Sequence, residues 1–253
     1  MRNFIMQRPF WFALIITIVI TLLGLLSFVL GQLLGLPEIL LAFAPLLIST
    51  IIPLGFIWWL GWWKDTGFVS TTSHVYVLAM VVIIDLILPL IFFGTIEVET
   101  RVVVFFLLAF FLTGLSEEAL SRGLLSRLFL AKGKWQAVII PALLFGLGHI
   151  THFLSGEYTP VQSVVQISNA FIGGLLYGAV RLRVNNIWPL IILHTFHDVI
   201  FGLAGFAGPT ATRGLDDISF VFFVIGWVLS IGTVAYIMTQ TKLAATVDGQ
   251  PAG

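Results

Sequence analysis

The sequence predicts an all-α, polytopic membrane protein of about eight transmembrane helices, and three observations predict it. Apolar residues make up 59% of the 253 residues and charged residues only 9%, against roughly half and a quarter in an ordinary globular chain. The apolar residues are gathered into runs near the ~20 residues that a helix needs to cross a hydrocarbon core of ~30 Å. Runs such as 39–60 are apolar on every face, as lipid-embedded helices are, whereas the strands of a membrane β-barrel would alternate.

In chain order the expected spans are 10–34, 39–63, 75–93, 102–130, 135–153, 161–180, 187–206 and 218–238. The first exceeds the apolar region of a secretory signal and lacks a small-residue cleavage site, so it is expected to be a retained anchor. The second ends in Trp58, Trp59, Trp62 and Trp63, and Trp135 and Trp188 mark the starts of the fifth and seventh, as interfacial aromatics do. The third carries Asp85 at its centre, where it would pair with Arg122, line a cavity or cap a polar contact. The fourth holds Glu117, Glu118 and Arg122, the fifth His149, the sixth Gly174 and Gly178, and the seventh His194, His197 and Asp198. The eighth is followed by a polar stretch, 242–253, expected to be a disordered cytoplasmic tail. The whole reads as a single integral membrane domain, 1–253, with a motif-bearing core over about 102–206.

Orientation follows from the basic residues between spans. Arg2, Arg8, Lys64, Arg127, Lys132, Lys134, Arg181, Arg183 and Lys242 fall on the side shared by the N terminus and every even-numbered connection, and only Arg101 and Arg213 on the other. Both termini are therefore expected in the cytoplasm. Twelve basic residues balance twelve acidic ones, so no positive field exists to hold nucleic acid, and none is expected as a partner. The absence of cysteine excludes disulfides, thiolate metal sites, iron–sulfur clusters and a thiol nucleophile.

The informative residues are those that do not belong in lipid. Each charged side chain at a span centre costs about 2.5 to 3.5 kcal/mol on insertion scales, so Glu117, Glu118, Arg122 and Asp198 together cost on the order of 10 kcal/mol. Glu118 precedes Arg122 by four residues on one helical face, which suits an ion pair. Glu117 points about 100° away and has no such partner. Glu117 and His149 each lie ~20 Å from the same ends of their spans, and His194 and Asp198 ~10 and ~17 Å into the seventh. His194 and Asp198 share a face, so a carboxylate, two imidazoles and a second carboxyl are expected to converge from three helices in a water-filled cavity, the makeup of a hydrolytic site. His152 and His197 read more simply as bonds to neighbouring helices, and Gly174 and Gly178 as close helix contacts.

Three motifs carry a resemblance. Glu117-Glu118-Ala-Leu-Ser-Arg122 fits Glu-Glu-x-x-x-Arg, Phe145-Gly-Leu-Gly-His149 fits Phe-x-x-x-His, and His194-Thr-Phe-His-Asp198 fits His-x-x-x-Asn/Asp. In order, spacing and setting the sequence resembles the CPBP family, the CAAX protease and bacteriocin-processing group that includes the type II CAAX prenyl endopeptidase. The Gly173-Gly174 to Gly178 stretch and the Asn-Asn-Ile-Trp-Pro lead-in to the seventh span also look like this family.

The resemblance implies an intramembrane endopeptidase of a bacterial plasma membrane, acting on peptides or membrane-associated proteins, with prenylated tails the substrate of the best-known relatives. Glu117 would be the general base, drawing a proton from a water held jointly with His149. His194 and residue 198 would stabilise the oxyanion. An ionised Asp198 cannot donate a hydrogen bond, so it is protonated, orients His194 or helps to hold a metal. A divalent cation such as zinc on His149, His194 and Glu117 is the metal-assisted alternative to glutamate-only hydrolysis. Glu118, Arg122 and Phe145 would support the site, the first two as an ion pair and Phe145 by shielding it. The sequence lacks the His-Glu-x-x-His, Gly-x-Ser-Gly and Gly-x-Gly-Asp motifs of other intramembrane proteases. A proton-coupled transporter would need a ladder of polar groups across the membrane, whereas these share one depth. A non-catalytic immunity or scaffold protein is the remaining alternative, against which stand the intact Glu117, His149 and His194.

Overall fold

In the computed structural model, residues 2–94, 96–154, 156, 158–207 and 217–241 are described. Arg213, Lys242 and the 242–253 tail lie outside them. The described residues are mostly helical and contain no strand. Eight helices are long and apolar enough to cross a membrane: Pro9–Leu33, Glu38–Leu60, Val75–Phe93, Thr100–Lys132, Lys134–Leu154, Pro160–Val184, Trp188–Phe206 and Val221–Gln240. They are called spans one to eight. A short helix, Arg2–Gln7, precedes them and buries Ile5.

Most boundaries shift by no more than three residues, and two of the shifts have a clear local reason. Span two stops at Leu60, short of the expected 63, because Gly61 takes a left-handed conformation (φ 74°) that ends a helix. The chain then folds back, so Trp62 is buried beneath the Arg127 guanidinium, 5.2 Å from its ring centre, and does not join the exposed Trp58 and Trp59. Span six runs four residues past the expected 180. Arg181 stops an apolar count without stopping a helix, and it is not a connecting residue: its buried guanidinium donates to the carbonyls of Thr66 and Asp65 and to Asn185 Oδ1. It thus clamps the connection between spans two and three.

The core lies at one end of the bundle. Buried apolar residues gather at the starts of spans one (Phe12, Ile16), three (Val77, Val81), five (Ala137, Val138) and seven (Leu190, Ile191). They gather also at the ends of spans two (Ile57, Leu60), four (Leu125, Phe129), six (Val180, Val184) and eight (Ile237, Met238). Antiparallel succession brings all of these to the same membrane face. The same end is stitched by hydrogen bonds from Lys134 to the Met238 and Thr241 carbonyls and from Asn186 to Ser70 and Thr72. Outward side chains such as Leu25, Ile51, Ile91, Leu108 and Val228 are more than half exposed, as a lipid-facing surface requires. Toward the other end the spans part around a chamber.

Spans three, four and five are irregular where they meet that chamber. Ile83–Ile87 and Ala119–Leu125 are π-helical turns, and His149 sits at the junction between the helical segments Lys134–Gly148 and Ile150–Leu154. Such wide turns occur preferentially at functional sites, because the extra residue turns side chains that a regular helix would point elsewhere.

Candidate active site

Glu117 and Glu118 are the last two residues of the regular α-helical part of span four. Their 100° offset divides them between two environments. The Glu118 side chain is fully buried, whereas that of Glu117 is 33% exposed and faces the chamber. Glu118 Oε1 lies 3.0 Å from Arg122 Nη1, the expected ion pair, and also accepts a 2.9 Å hydrogen bond from His194 Nδ1. One carboxylate therefore ties span four to span seven and sets the plane of the His194 ring. Arg122 in turn lies over the faces of Phe145 (4.6 Å) and Tyr177 (5.4 Å), so its charge is covered by span five and span six aromatics as well.

With Nδ1 held by Glu118, His194 turns Nε2 into the chamber, 3.4 Å from Glu117 Oε2 and 3.6 Å from Asp198 Oδ2. On span five, His149 Nδ1 bonds the Phe145 carbonyl at 2.9 Å. A carbonyl only accepts, so Nδ1 carries the hydrogen and the neutral ring keeps Nε2 as an acceptor. Phe145 packs edge-on against both imidazoles, with ring centres 5.0 Å from His149 and 6.1 Å from His194.

Glu117, His149, His194 and Asp198 all line one chamber of about 790 Å³, together with Asp85, Tyr177 and His197. A smaller cleft of about 260 Å³ between spans one, two, four and five meets it at Glu117, Phe145 and His149. The four expected site residues are thus brought to one place, with Glu118, Arg122 and Phe145 behind them. Of the three options for Asp85, it lines the cavity. It is buried on the π turn of span three and faces Tyr177 and His197. His197 packs on Phe201 with ring centres 4.6 Å apart. It makes no bond to a neighbouring helix through Nδ1, which is buried and unpartnered among the described residues. His152 stacks on Tyr158. No group of three or more His, Asp or Glu among the described residues is arranged to hold a metal ion, and both His194 nitrogens already face carboxylates.

Two features escaped the sequence reading. The Glu118–His194 bond joins residues 76 apart, and no periodicity within one helix reports it. Tyr177 shows in sequence only as the end of a polar face of span six, Gln162, Gln166, Asn169, Gly173 and Tyr177 at helical spacing.

Fold and site together define a class: a polytopic helical membrane protein that gathers carboxylates and imidazoles in a chamber within the spans. Residues 99–200, which hold all three motifs, match the family described as Rce1-like, type II CAAX prenyl endopeptidase Rce1-like. No curated protein and no solved structure matches the chain.

Proposed function

We propose that the protein is a glutamate-dependent intramembrane endopeptidase whose substrates are membrane-associated or C-terminally lipidated peptides. The observation that carries this reading is the meeting of Glu117 and His194, 3.4 Å apart at the floor of the chamber, with His149 on the adjoining wall. Glu117 takes a proton from a water that His149 holds through Nε2, and the hydroxide attacks the peptide carbonyl carbon. His194, an imidazolium among the Glu118, Glu117 and Asp198 carboxylates, donates Nε2–H to the resulting oxyanion while its Nδ1–H stays on Glu118 and aims the ring. The tetrahedral species collapses, the C–N bond breaks, and the proton on Glu117 passes to the leaving amine. Water reaches the base from either of the two cavities, since Glu117 and His149 line both.

The test is a quenched reporter peptide with purified protein. General-base catalysis is worth about 10²- to 10⁴-fold, so Glu117→Ala is expected to lose at least that much turnover with an unchanged melting curve; undiminished turnover would remove Glu117 from the mechanism. Glutamate-only hydrolysis also predicts full activity after treatment with a strong chelator. Loss of activity that added zinc restores would replace this reading with the metal-assisted one on His149, His194 and Glu117.

A further inference from the structure

The chamber has two unlike sides. Across spans three, four, seven and eight it is walled by aromatic rings, among them the stacked pairs Phe92–Phe222 and Phe106–Phe110. Span six instead presents carboxamides, Gln166 and Asn169, with Gly173 one turn further on. A β-carbon at Gly173 would meet no atom within 4 Å, so the helix surface there stands open to the chamber. Asn169 Oδ1 accepts from the Trp227 indole N–H of span eight, which leaves its amide nitrogen as the donor. Gln166 has no hydrogen-bond partner among the described residues. Gln162, a turn earlier, is engaged in capping span six with Thr159.

A carboxamide inside a membrane span is costly unless something bonds it, and its combination of donors and acceptor is that of a peptide group. A peptide presented to Glu117 has to be unwound, because a helix hides its carbonyls, and an unwound backbone within the bilayer must find partners for its N–H and C=O groups. We infer that Gln166 and Asn169 form a main-chain binding track for an extended, apolar substrate segment, whose side chains lie against the aromatic wall. This assignment rests on the peptidase reading above. Tyr177 meets His194 with ring centres 5.7 Å apart. Asn169 and Gln166 precede it by eight and eleven residues, ~12 and ~16 Å along the helix. At ~3.3 Å per extended residue the track therefore contacts the substrate about four to five residues from the scissile bond.

The probe is a ten-residue peptide of alternating alanine and leucine, fluorescent at one end, with its backbone N-methylated one position at a time. Binding is read by fluorescence anisotropy on the Glu117→Gln enzyme, and KM and kcat on the enzyme with Glu117 intact. One hydrogen bond lost corresponds to about a two- to tenfold change in affinity. Methylation four or five residues from the cleaved bond is expected to weaken binding by that factor. Gln166→Leu and Asn169→Leu are each expected to raise Kd and KM similarly at unchanged kcat, and to abolish the methylation penalty. Gln166→Leu is the cleaner variant, because it breaks no bond within the protein. The track is overturned if no methyl position matters, if the penalties persist in Gln166→Leu, if kcat falls instead of KM rising, or if the probe does not bind. These outcomes are separate from the fate of the peptidase reading, which turns on cleavage by Glu117→Ala.

Discussion

Glu118 shows how one side chain comes to serve two purposes. Its neighbour four residues on makes an ion pair legible in the sequence, yet the same oxygen also holds His194 from another helix. Arg122 thus shares with His194 the offsetting of a carboxylate that is wholly out of solvent. Removing one partner of a buried pair costs about 3 to 5 kcal/mol, because the other charge is left behind. Arg122→Ala is therefore expected to lower the melting temperature in detergent as well as the rate, whereas Glu117→Ala lowers the rate alone, since Glu117 already faces the chamber. Differential scanning fluorimetry of the two variants separates these outcomes, and an unshifted Arg122→Ala melt would mean that His194 alone suffices to hold Glu118. Phe145 belongs to the same scale. The sequence placed it one turn from His149 as a shield, and it does cover His149, but it also covers His194 and carries the Arg122 guanidinium.

Among the elements, spans four to seven are the least apolar of the eight, and they are the ones that meet at the site. Span six shows why. Its close face packs on span five through Gly174, where a β-carbon would stand 2.9 Å from that of Ala142, and through Gly178, where it would stand 3.1 Å from Val138 Cγ1. The expectation of close helix contact at these two glycines therefore holds. Gly173, one residue away, faces open space. Adjacent glycines should then respond with opposite sign. Gly174→Val forces the helices apart and is expected to cost about 1 to 3 kcal/mol. Gly173→Ala exchanges the poorest ordinary helix former for the best and is expected to leave stability unchanged or raise it by up to ~1 kcal/mol. Thermal melts of both variants decide it, and equal destabilisation would mean that span six is rotated from the position described.

At the scale of the whole molecule, the packed end and the chamber end are chemically distinct. Lys64, Arg127, Lys134, Arg181 and Arg183 gather at the packed end, where Arg127 also pairs with Asp65, while Arg101 and Glu99 pair near the opposite end. If basic residues mark the cytoplasmic face, the chamber lies toward the other side. The chain has no cysteine, so single cysteines report this directly. An impermeant maleimide on intact cells is expected to label Arg101→Cys and to label Lys64→Cys only after permeabilisation; the reverse pattern would invert the topology.

Much of this architecture was legible without coordinates. Partitioning into lipid depends on the composition of each ~20-residue run, so the eight spans, their order and the cost of Glu117, Glu118, Arg122 and Asp198 could be read from the sequence segment by segment. So could the depth match between Glu117 and His149, because rise per residue is constant along a helix. The rotation of each helix about its axis could not be read, since a span apolar on all faces has no pattern that names its inner side. Only tertiary packing turned Glu118 to His194, drew Asp85 and Tyr177 to the chamber, buried Trp62 and Arg181 and opened the surface at Gly173, because each of these depends on which neighbouring helix lies within a few ångströms.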